Sequence, residues 1–509
     1  MQAKCLAVVA VAALTLGLVQ GNAQLSSSDM LALAQVEPER AFGLWAAQHA
    51  RAYSEGSPEY TRRLGVFVDN VRAITEQHKR DPGVTLALNE YADETWEEFA
   101  AKRLGLKITA QQLEAKEAAS SRLQAAGTWR YEEVAAPAAM DWRAKNAVSE
   151  VKNQGQCGSC WAFSAVGSIE GANALATGQL VSLSEQQLVD CDTASNMGCS
   201  GGLMDDAFKY VIDNGGIDTE EDYSYWSGYG FGFWCNKRKQ TDRPAVSIDG
   251  YEDVPTNEPA LLKAVAAQPV AVAICAGANM QFYSKGVISS CCEGLNHGVL
   301  AVGYDTSDKA QPYWIVKNSW GGGWGEQGYF RLKMGEGPKG LCGIASAASY
   351  AVKTSSVNKP VPEMCDMFGW TECPVGNTCS CSFSLFGWLC LWHDCCPLSN
   401  AVSCPDLKHC CPAGTTCDSA QGACIAADGA SSSPWVEKTK ASVADTPAAR
   451  ARQAEVEAAQ ARQDAAAAAA RGGSHAMGEG EMLLVQGGAS RVKGGEQRKR
   501  IEQRVVVPQ

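Results

Sequence analysis

An α+β fold is what the sequence predicts for its largest segment, residues 137–352, on the strength of two opposed periodicities. In the first half, helical patterns follow Cys160 and recur over 184–190 and 203–213. The second half alternates and is rich in Val, Tyr and Gly, as in Val270–Ile274 and Tyr313–Lys317, which read as strands. Helices segregated from strands indicate α+β, and the segment is long enough to bury two adjoining cores. A third observation fixes the surroundings: 22 cysteines, a density that persists as disulfides only in an oxidising compartment.

Taken in order, Lys4 precedes an almost wholly apolar run over 5–19, and Gly21-Asn22-Ala23 supplies small residues near a cleavage point. Residues 1–23 are therefore expected to be a secretory signal peptide, the run being too short for a membrane anchor. No later run is long and apolar enough to span a bilayer. From 38 to 116 the chain is charged and helical in pattern. Glu59, Arg63, Val66, Phe67, Asn70 and Ile74 fall three and four apart and line one helix face.

Past the α+β segment, residues 354–363 are polar and Pro-containing, a linker. Twelve cysteines then fall between Cys365 and Cys424, including the runs Cys395-Cys396-Pro397 and Cys410-Cys411-Pro412. So cysteine-rich a stretch of about 60 residues builds no sizeable apolar core, and hairpins stapled by disulfides are expected. Residues 426–509 are Ala-, Gln- and Arg-rich, a low-complexity tail expected to be disordered or partly helical, with helix propensity over 448–471 but no apolar stripe. Arg498-Lys499-Arg500 reads as a solvated, cleavable end. The formal charge of −12 argues against nucleic acid as the main partner.

The chemistry centres on Cys160, which opens the helical pattern Trp161-Ala162-Phe163-Ser164-Ala165-Val166. A thiol at a helix N-terminus faces unpaired N–H groups and the positive end of the macrodipole, so its thiolate, the nucleophilic form, is favoured. A nearby histidine would favour it further. His297 opens the apolar run Gly298-Val299-Leu300-Ala301-Val302, 137 positions after Cys160. Asn318 precedes Ser319-Trp320-Gly321; a side-chain amide there orients an imidazole without adding a charge.

The octapeptide Gln154-Gly-Gln-Cys-Gly-Ser-Cys-Trp161 contains Cys-Gly-Ser-Cys-Trp, a signature of papain and the cathepsins, and the His spacing fits the same family. The chain resembles papain-like cysteine proteases of the cathepsin L type, made as precursors. Over 38–135 the helix face above, ending in His78 in place of Asn, resembles their prosegment motif. So does Ala87-x-Asn89-x-Tyr91-x-Asp93, where Ala87 replaces Gly and Tyr91 replaces Phe. Residues 365–424 resemble granulin, with Ser380 and Pro405 near where relatives often carry two more cysteines; the protease–linker–granulin order resembles a plant-type subgroup.

The resemblance implies a papain-like two-lobe fold over 136–353, a helical lobe facing a β-barrel-like lobe with the cleft between them. An inhibitory prosegment would lie through that cleft until cut near Ala135 or Ala136, its exposed part falling within 113–134. A granulin-like domain would span 364–425. Cys160 is the expected nucleophile, His297 the acid/base and Asn318 its orienting partner, with Trp320 covering the Asn–His contact. Gln154 would share the oxyanion hole with the Cys160 N–H. Leu203, Met204, Ala273, Leu295, Gly298 and Ala347 would line the pocket for the residue two before the scissile bond. That lining carries no acid, so it should prefer Leu, Phe or Val. Gly158, Gly201 and Gly202 would leave room for substrate backbone. Asn296 stands where several relatives carry Asp.

Three disulfides follow by resemblance: Cys157–Cys199, Cys191–Cys235 and Cys291–Cys342. Cys275 and Cys292 depart from the usual pattern; a fourth bridge joins them, or else Cys292 pairs with Cys342 and Cys291 with Cys275. A zinc site is a poor fit in this compartment, and no metal or cofactor is expected.

The whole reads as a monomeric endopeptidase zymogen without membrane anchor, routed to a vacuole, lysosome or the exterior. It would act on protein and peptide substrates and be held by its own propeptide. The rival reading makes the granulin-like module a ligand with the protease as carrier. A transpeptidase would use the same acyl-enzyme.

Overall fold

In the computed structural model the described residues are 25–443, apart from 82, 233, 237–244, 357–362, 366–370, 375, 386–388, 399–400 and 427–430. The expected signal peptide over 1–23 and the helical stretch over 448–471 lie outside them. The chain divides into compact units 1–450 and 451–509, and every described residue belongs to the first.

The N-terminal helices are α1 (Ser27–Val36), α2 (Pro38–Gln48) and α3 (Pro58–Arg80). The side chains of Ser26 and Ser57 cap α1 and α3, and Pro sits in the first turn of α2 and α3, where its missing N–H costs nothing. The predicted face of α3 divides its labour. Phe67 and Ile74 are buried, and the Phe67 ring lies against Phe42 and Trp45. Asn70 Nδ2 donates to the carbonyls of Ala92 and Glu94, while Arg63 links Glu59 to Glu98. His78 Nε2 accepts from the Leu86 N–H at 2.8 Å.

Strand β1 (Val84–Leu86) follows, then α4 (Trp96–Arg103) and α5 (Ala110–Ala126). Both helices open on capping boxes, Thr95/Glu98 and Thr109/Gln112, and α5 ends at Gly127 in the left-handed region. The second motif ties this segment to the rest of the protein: Asn89 Nδ2 donates to the Gln281 carbonyl and Tyr91 Oη to that of Trp320.

Within 137–352 the helices are α6 (Cys160–Thr177), α7 (Glu185–Cys191) and α8 (Met204–Asp213). The later half supplies β3 (Gly250–Asp253), α9 (Glu258–Ala267), β4 (Val270–Ile274), α10 (Ala278–Gln281), β5 (Tyr283–Ile288), β6 (His297–Asp305), β7 (Tyr313–Lys317), β8 (Tyr329–Lys333) and β9 (Ser349–Val352). The sheet runs β1-β5-β8-β7-β6-β4-β9-β3, and β2 (Ala139–Asp141) pairs with β6. Strands β5 and β8 are parallel; the other pairs are antiparallel. Two cores form. One gathers Trp161, Val166, Ile169, Leu188 and Phe208 between the helices. The other packs Leu261, Val272, Tyr304, Trp314 and Phe330 on the strands and continues into Phe42, Trp45, Phe67 and Phe99 of the N-terminal segment.

The structure pairs Cys157 with Cys199, Cys191 with Cys235, Cys275 with Cys292 and Cys291 with Cys342. The twelve cysteines from Cys365 to Cys424 form six further bridges. They staple hairpins such as Thr378–Leu385 with Leu389–Cys396 and Thr415–Asp418 with Ala423–Ala426. The Ser380 hydroxyl lies 2.9 Å from that of Ser403.

Past residue 425 the structure departs from the expected low-complexity tail. Strands Ser432–Pro434, Val436–Glu437, Thr439–Lys440 and Ser442–Val443 each add to one of these hairpins. Trp435 anchors the return, packing against the Cys404, Cys411 and Cys424 cluster and donating to the Ala423 carbonyl. Ser, Thr and Lys in strands of two or three residues leave no periodicity to read, so this stretch carries no strand signal in its sequence.

Candidate active site

Cys160 is the first residue of α6 and is fully buried. Ser159, at the N-cap, makes no side-chain cap; its hydroxyl pairs with Tyr225 Oη instead. The helix start is pinned from outside. The Cys157–Cys199 bridge joins it to the loop carrying Gly201 and Gly202, and the Gly158 N–H donates to the Cys199 carbonyl.

His297 opens β6 opposite Ile274 of β4, so the sheet presents it to the helix start. Its neighbour Gly298 donates its N–H to Cys160 Sγ at 3.4 Å. His297 Nε2 lies 2.8 Å from Asn318 Oδ1, which fixes the ring, and the Trp320 indole stacks on the imidazole at 4.8 Å. His297 Nδ1 is buried without a hydrogen-bond partner. Asn318 leaves β7 immediately after Lys317, whose ammonium donates to Ser149 Oγ. That hydroxyl also bonds Glu170 of α6, so a buried polar chain fastens the strand end to the helix.

Gln154 is placed by a contact the sequence did not announce: the Ser319 hydroxyl donates to its Oε1 at 2.7 Å. Its Nε2 donates to the Cys157 carbonyl and, at 3.0 Å, to the carbonyl of Arg103. Arg103 ends α4, so a backbone oxygen of the N-terminal segment occupies the Gln154 amide. Two residues later the Gly105 N–H donates to Cys160 Sγ at 3.4 Å.

The segment then tracks the glycines. The Gly202 N–H donates to the Gly105 carbonyl, the Lys107 N–H to the Gly202 carbonyl, and the Leu106 N–H to the Asn296 carbonyl. A Cβ on Gly105 would fall 1.7 Å from the Gly158 oxygen, and one on Gly201 would fall 2.5 Å from the Gly105 oxygen. Both approaches exclude any side chain. Leu106 belongs to the same apolar cluster as Leu203, Met204, Ala273 and Ala347, with Leu295 against it. Gly298 closes that cluster toward the thiol; a Cβ there would meet the Cys160 carbonyl and Met204 Sδ. The side chain of Asn296 is spent on the backbone of Ala276.

Occlusion changes the electrostatics expected of the thiol. Burial pushes the Cys160 thiol above its ordinary value, although the N–H groups of Gly298, Gly105, Trp161 and Cys160 pull the other way. Burial also pushes His297 down to about 4, against the opposing contact with Asn318. In this state both groups are held neutral. The thiolate favoured by the helix N-terminus is therefore not the form the buried site stabilises.

The segment also seals the back of the site. Phe99 meets Trp320 edge-on at 4.8 Å, and the Arg103 guanidinium lies over the Tyr91 and Phe99 rings. Sequence reasoning missed Arg103, Gly105 and Leu106. A glycine flanked by Leu104 and Leu106 was the one available signal.

Family profiles match three stretches: "Papain family cysteine protease" over residues 136–352, "Cathepsin propeptide inhibitor domain (I29)" over 42–99 and "Granulin" over 378–425. The chain is 45% identical over 408 residues to the oryzain beta chain of Oryza sativa subsp. japonica, spanning 74% of this chain and 83% of that one. It is also 45% identical over 383 residues to the probable cysteine protease RD21C of Arabidopsis thaliana, spanning 73% and 81%. The crystal structure of the ragweed pollen allergen Amb a 11, a cysteine protease in its proform, superposes with a TM-score of 0.54 at 42% identity, covering 65% of this chain and 99% of that one.

Proposed function

The chain belongs to the papain family of cysteine proteases, a cysteine endopeptidase made as an autoinhibited zymogen, and on that premise we propose which residues carry the reaction. Cys160 Sγ, ionised once the prosegment is gone, attacks the peptide carbonyl. The oxyanion is held by Gln154 Nε2 and the Cys160 N–H, each donor being worth about 2.7–4 kcal/mol in other hydrolases. His297 Nδ1, protonated as the thiolate's partner, gives its proton to the leaving amine and leaves a thioester on Cys160. It then takes a proton from the water that hydrolyses the thioester. Asn318 holds the ring, and Trp320 keeps water from the Asn318–His297 contact. The observation that carries this reading is the fixed imidazole: Nε2 is committed to Asn318 at 2.8 Å, and the neighbouring Gly298 N–H touches Cys160 Sγ.

The pocket for the residue two before the scissile bond is Leu203, Met204, Ala273, Leu295, Gly298 and Ala347, with Gly158, Gly201 and Gly202 pairing to substrate backbone. Leu106 supports it, since an apolar prosegment side chain already shares that cluster. The domains are 38–135 prosegment, 136–353 peptidase, 354–363 linker and 364–425 granulin-like module, with the cut at Ala135 or Ala136. Exposure of Ala135 supports that cut. Cys157–Cys199, Cys191–Cys235, Cys291–Cys342 and Cys275–Cys292 are the protease bridges.

Disulfide density supports a secretory route ending in a vacuole, lysosome or outside the cell, and the enzyme is read as a monomer. Among the described residues no helix is long and apolar enough to cross a membrane. The test compares dipeptidyl substrates on the processed enzyme: Phe-Arg and Leu-Arg should be cleaved far faster than Arg-Arg. Equal rates would reject the pocket. Labelling by a thiol-reactive epoxide that survives Cys160→Ala would reject the nucleophile.

A further inference from the structure

Lys116, in the middle of α5, reaches out of the prosegment into a two-carboxylate seat on the peptidase. Its Nζ donates to Asp205 Oδ2 at 2.6 Å and to Asp253 Oδ1. The lysine and Asp205 side chains are only 10% and 11% exposed. The seat is built from two elements. Asp205 lies in the first turn of α8, directly after Met204, and its other oxygen accepts from the Ser349 hydroxyl at 2.7 Å. Asp253 ends β3 and faces Ser349 across the β3–β9 pair. Burial and the neighbouring Asp205 push the Asp253 carboxyl up even with Lys116 in place. The nearby ammonium of Lys209 is engaged with Asp206 at 3.0 Å.

Position along the cleft gives the seat its meaning. From the thiol outward, the prosegment passes Gly105 on Cys160, Leu106 in the apolar pocket and Lys107 on Gly202. Ile108 and Leu113 then pack against the same apolar cluster, and Lys116 comes one turn after Leu113. In that order the carboxylates come after the pocket along the prosegment's path from Cys160, and a segment that must depart holds their counter-ion. Its departure leaves two carboxylates, that of Asp205 held by Ser349, without the Lys116 ammonium between them.

We propose that in the processed enzyme Asp205 and Asp253 form a distal subsite that binds the ammonium of a substrate lysine three to five residues before the scissile bond, Lys116 being its occupant in the zymogen. The site directs cleavage toward lysine-bearing proteins by binding, with no new covalent step. The position of the seat rests on the pocket reading above.

The test uses enzyme processed from the full-length precursor and quenched peptides with Leu fixed two before the scissile bond. Lys, Met or Glu is placed in turn at the third, fourth and fifth positions before that bond. At one of these positions Lys should raise kcat/KM over Met by about tenfold, the worth of one charge-assisted hydrogen bond. Glu should fall below Met. Asp253→Asn, and separately Asp205→Asn, should bring the Lys-to-Met ratio near unity. Because Asp205→Asn deprives Lys116 of a partner while the precursor folds, it is also made together with Lys116→Met.

Absence of a Lys preference at all three positions overturns the proposal, as does a preference that survives both Asn substitutions. A companion peptide with Arg in place of that Leu, if cleaved equally fast, would instead overturn the apolar pocket, a separate failure.

Discussion

Replacing Gly105 with alanine should unseat the prosegment from the thiol without touching the peptidase. The new methyl would sit 1.7 Å from the Gly158 oxygen, 2.4 Å from its carbonyl carbon and 2.8 Å from its Cα, all backbone atoms that no rotamer change clears. Relief needs a retreat of roughly the same size as that overlap, which carries hydrogen bonds now at 2.9–3.4 Å past their useful length. Three contacts are at stake: Gly105 N–H to Cys160 Sγ, Gly202 N–H to the Gly105 carbonyl, and Gln154 Nε2 to the Arg103 carbonyl. At a net worth near 1 kcal/mol each, closure weakens by about 2–3 kcal/mol, or roughly 30- to 150-fold in the open fraction. The assay is the rate of Cys160 carboxymethylation in the intact precursor at neutral pH, located by peptide mass. The variant should label faster by that factor, while processed wild-type and variant enzymes, both lacking residue 105, should label alike. A folded Gly105→Ala precursor that labels at the wild-type rate would refute the steric argument.

Three further outcomes follow from the same geometry. Gln154→Ala in the processed enzyme should lower kcat by about 100- to 1,000-fold with little change in KM, and Ser319→Ala, which frees the Gln154 side chain, should lower it less. Acid should open the precursor. Its closed form holds His297 at about 4, so closure is fully stabilised above the ordinary imidazole value and loses stability as pH falls toward 4; at pH 5 this favours opening by about 2 kcal/mol, read as faster labelling of Cys160, and a rate flat from pH 7 to 5 would contradict it. Replacing both Cys275 and Cys292 by serine releases a loop spanned by a sequence separation of 17, which should cost the processed enzyme about 3 kcal/mol of stability, seen as a lower thermal midpoint; an unchanged midpoint would show that this bridge does not stabilise the enzyme.

Local pattern carried the elements, and long-range placement escaped it. Val270–Ile274 and Tyr313–Lys317 emerged with the bounds they have in the sheet, because short β-branched and aromatic runs leave little else to form. His297 was legible as the first residue of an apolar strand, which is where β6 begins. Arg103 contributes a backbone oxygen and Gly105 an absence of side chain, and neither property shows in a side-chain pattern. Their partners Gln154 and Cys160 lie 51 and 55 positions away. Lys116 looked like one more charge on a polar helix until the fold carried Asp205 and Asp253 to it. The polarity of the thiol site was also beyond sequence reading, because the helix N-terminus favours a thiolate while the overlying prosegment favours a thiol.

That last opposition is the centre of the account, and the pH dependence of Cys160 alkylation tests it most directly when measured on the intact precursor and on the enzyme processed from it. Apart from the labelling that opening in acid adds, the closed precursor should react appreciably only as pH rises above the ordinary thiol range. The processed enzyme should react well below neutrality, through a thiolate paired with protonated His297, and should lose that acid limb in His297→Ala. Superimposable profiles for the two forms would contradict the claim that the prosegment holds the pair neutral.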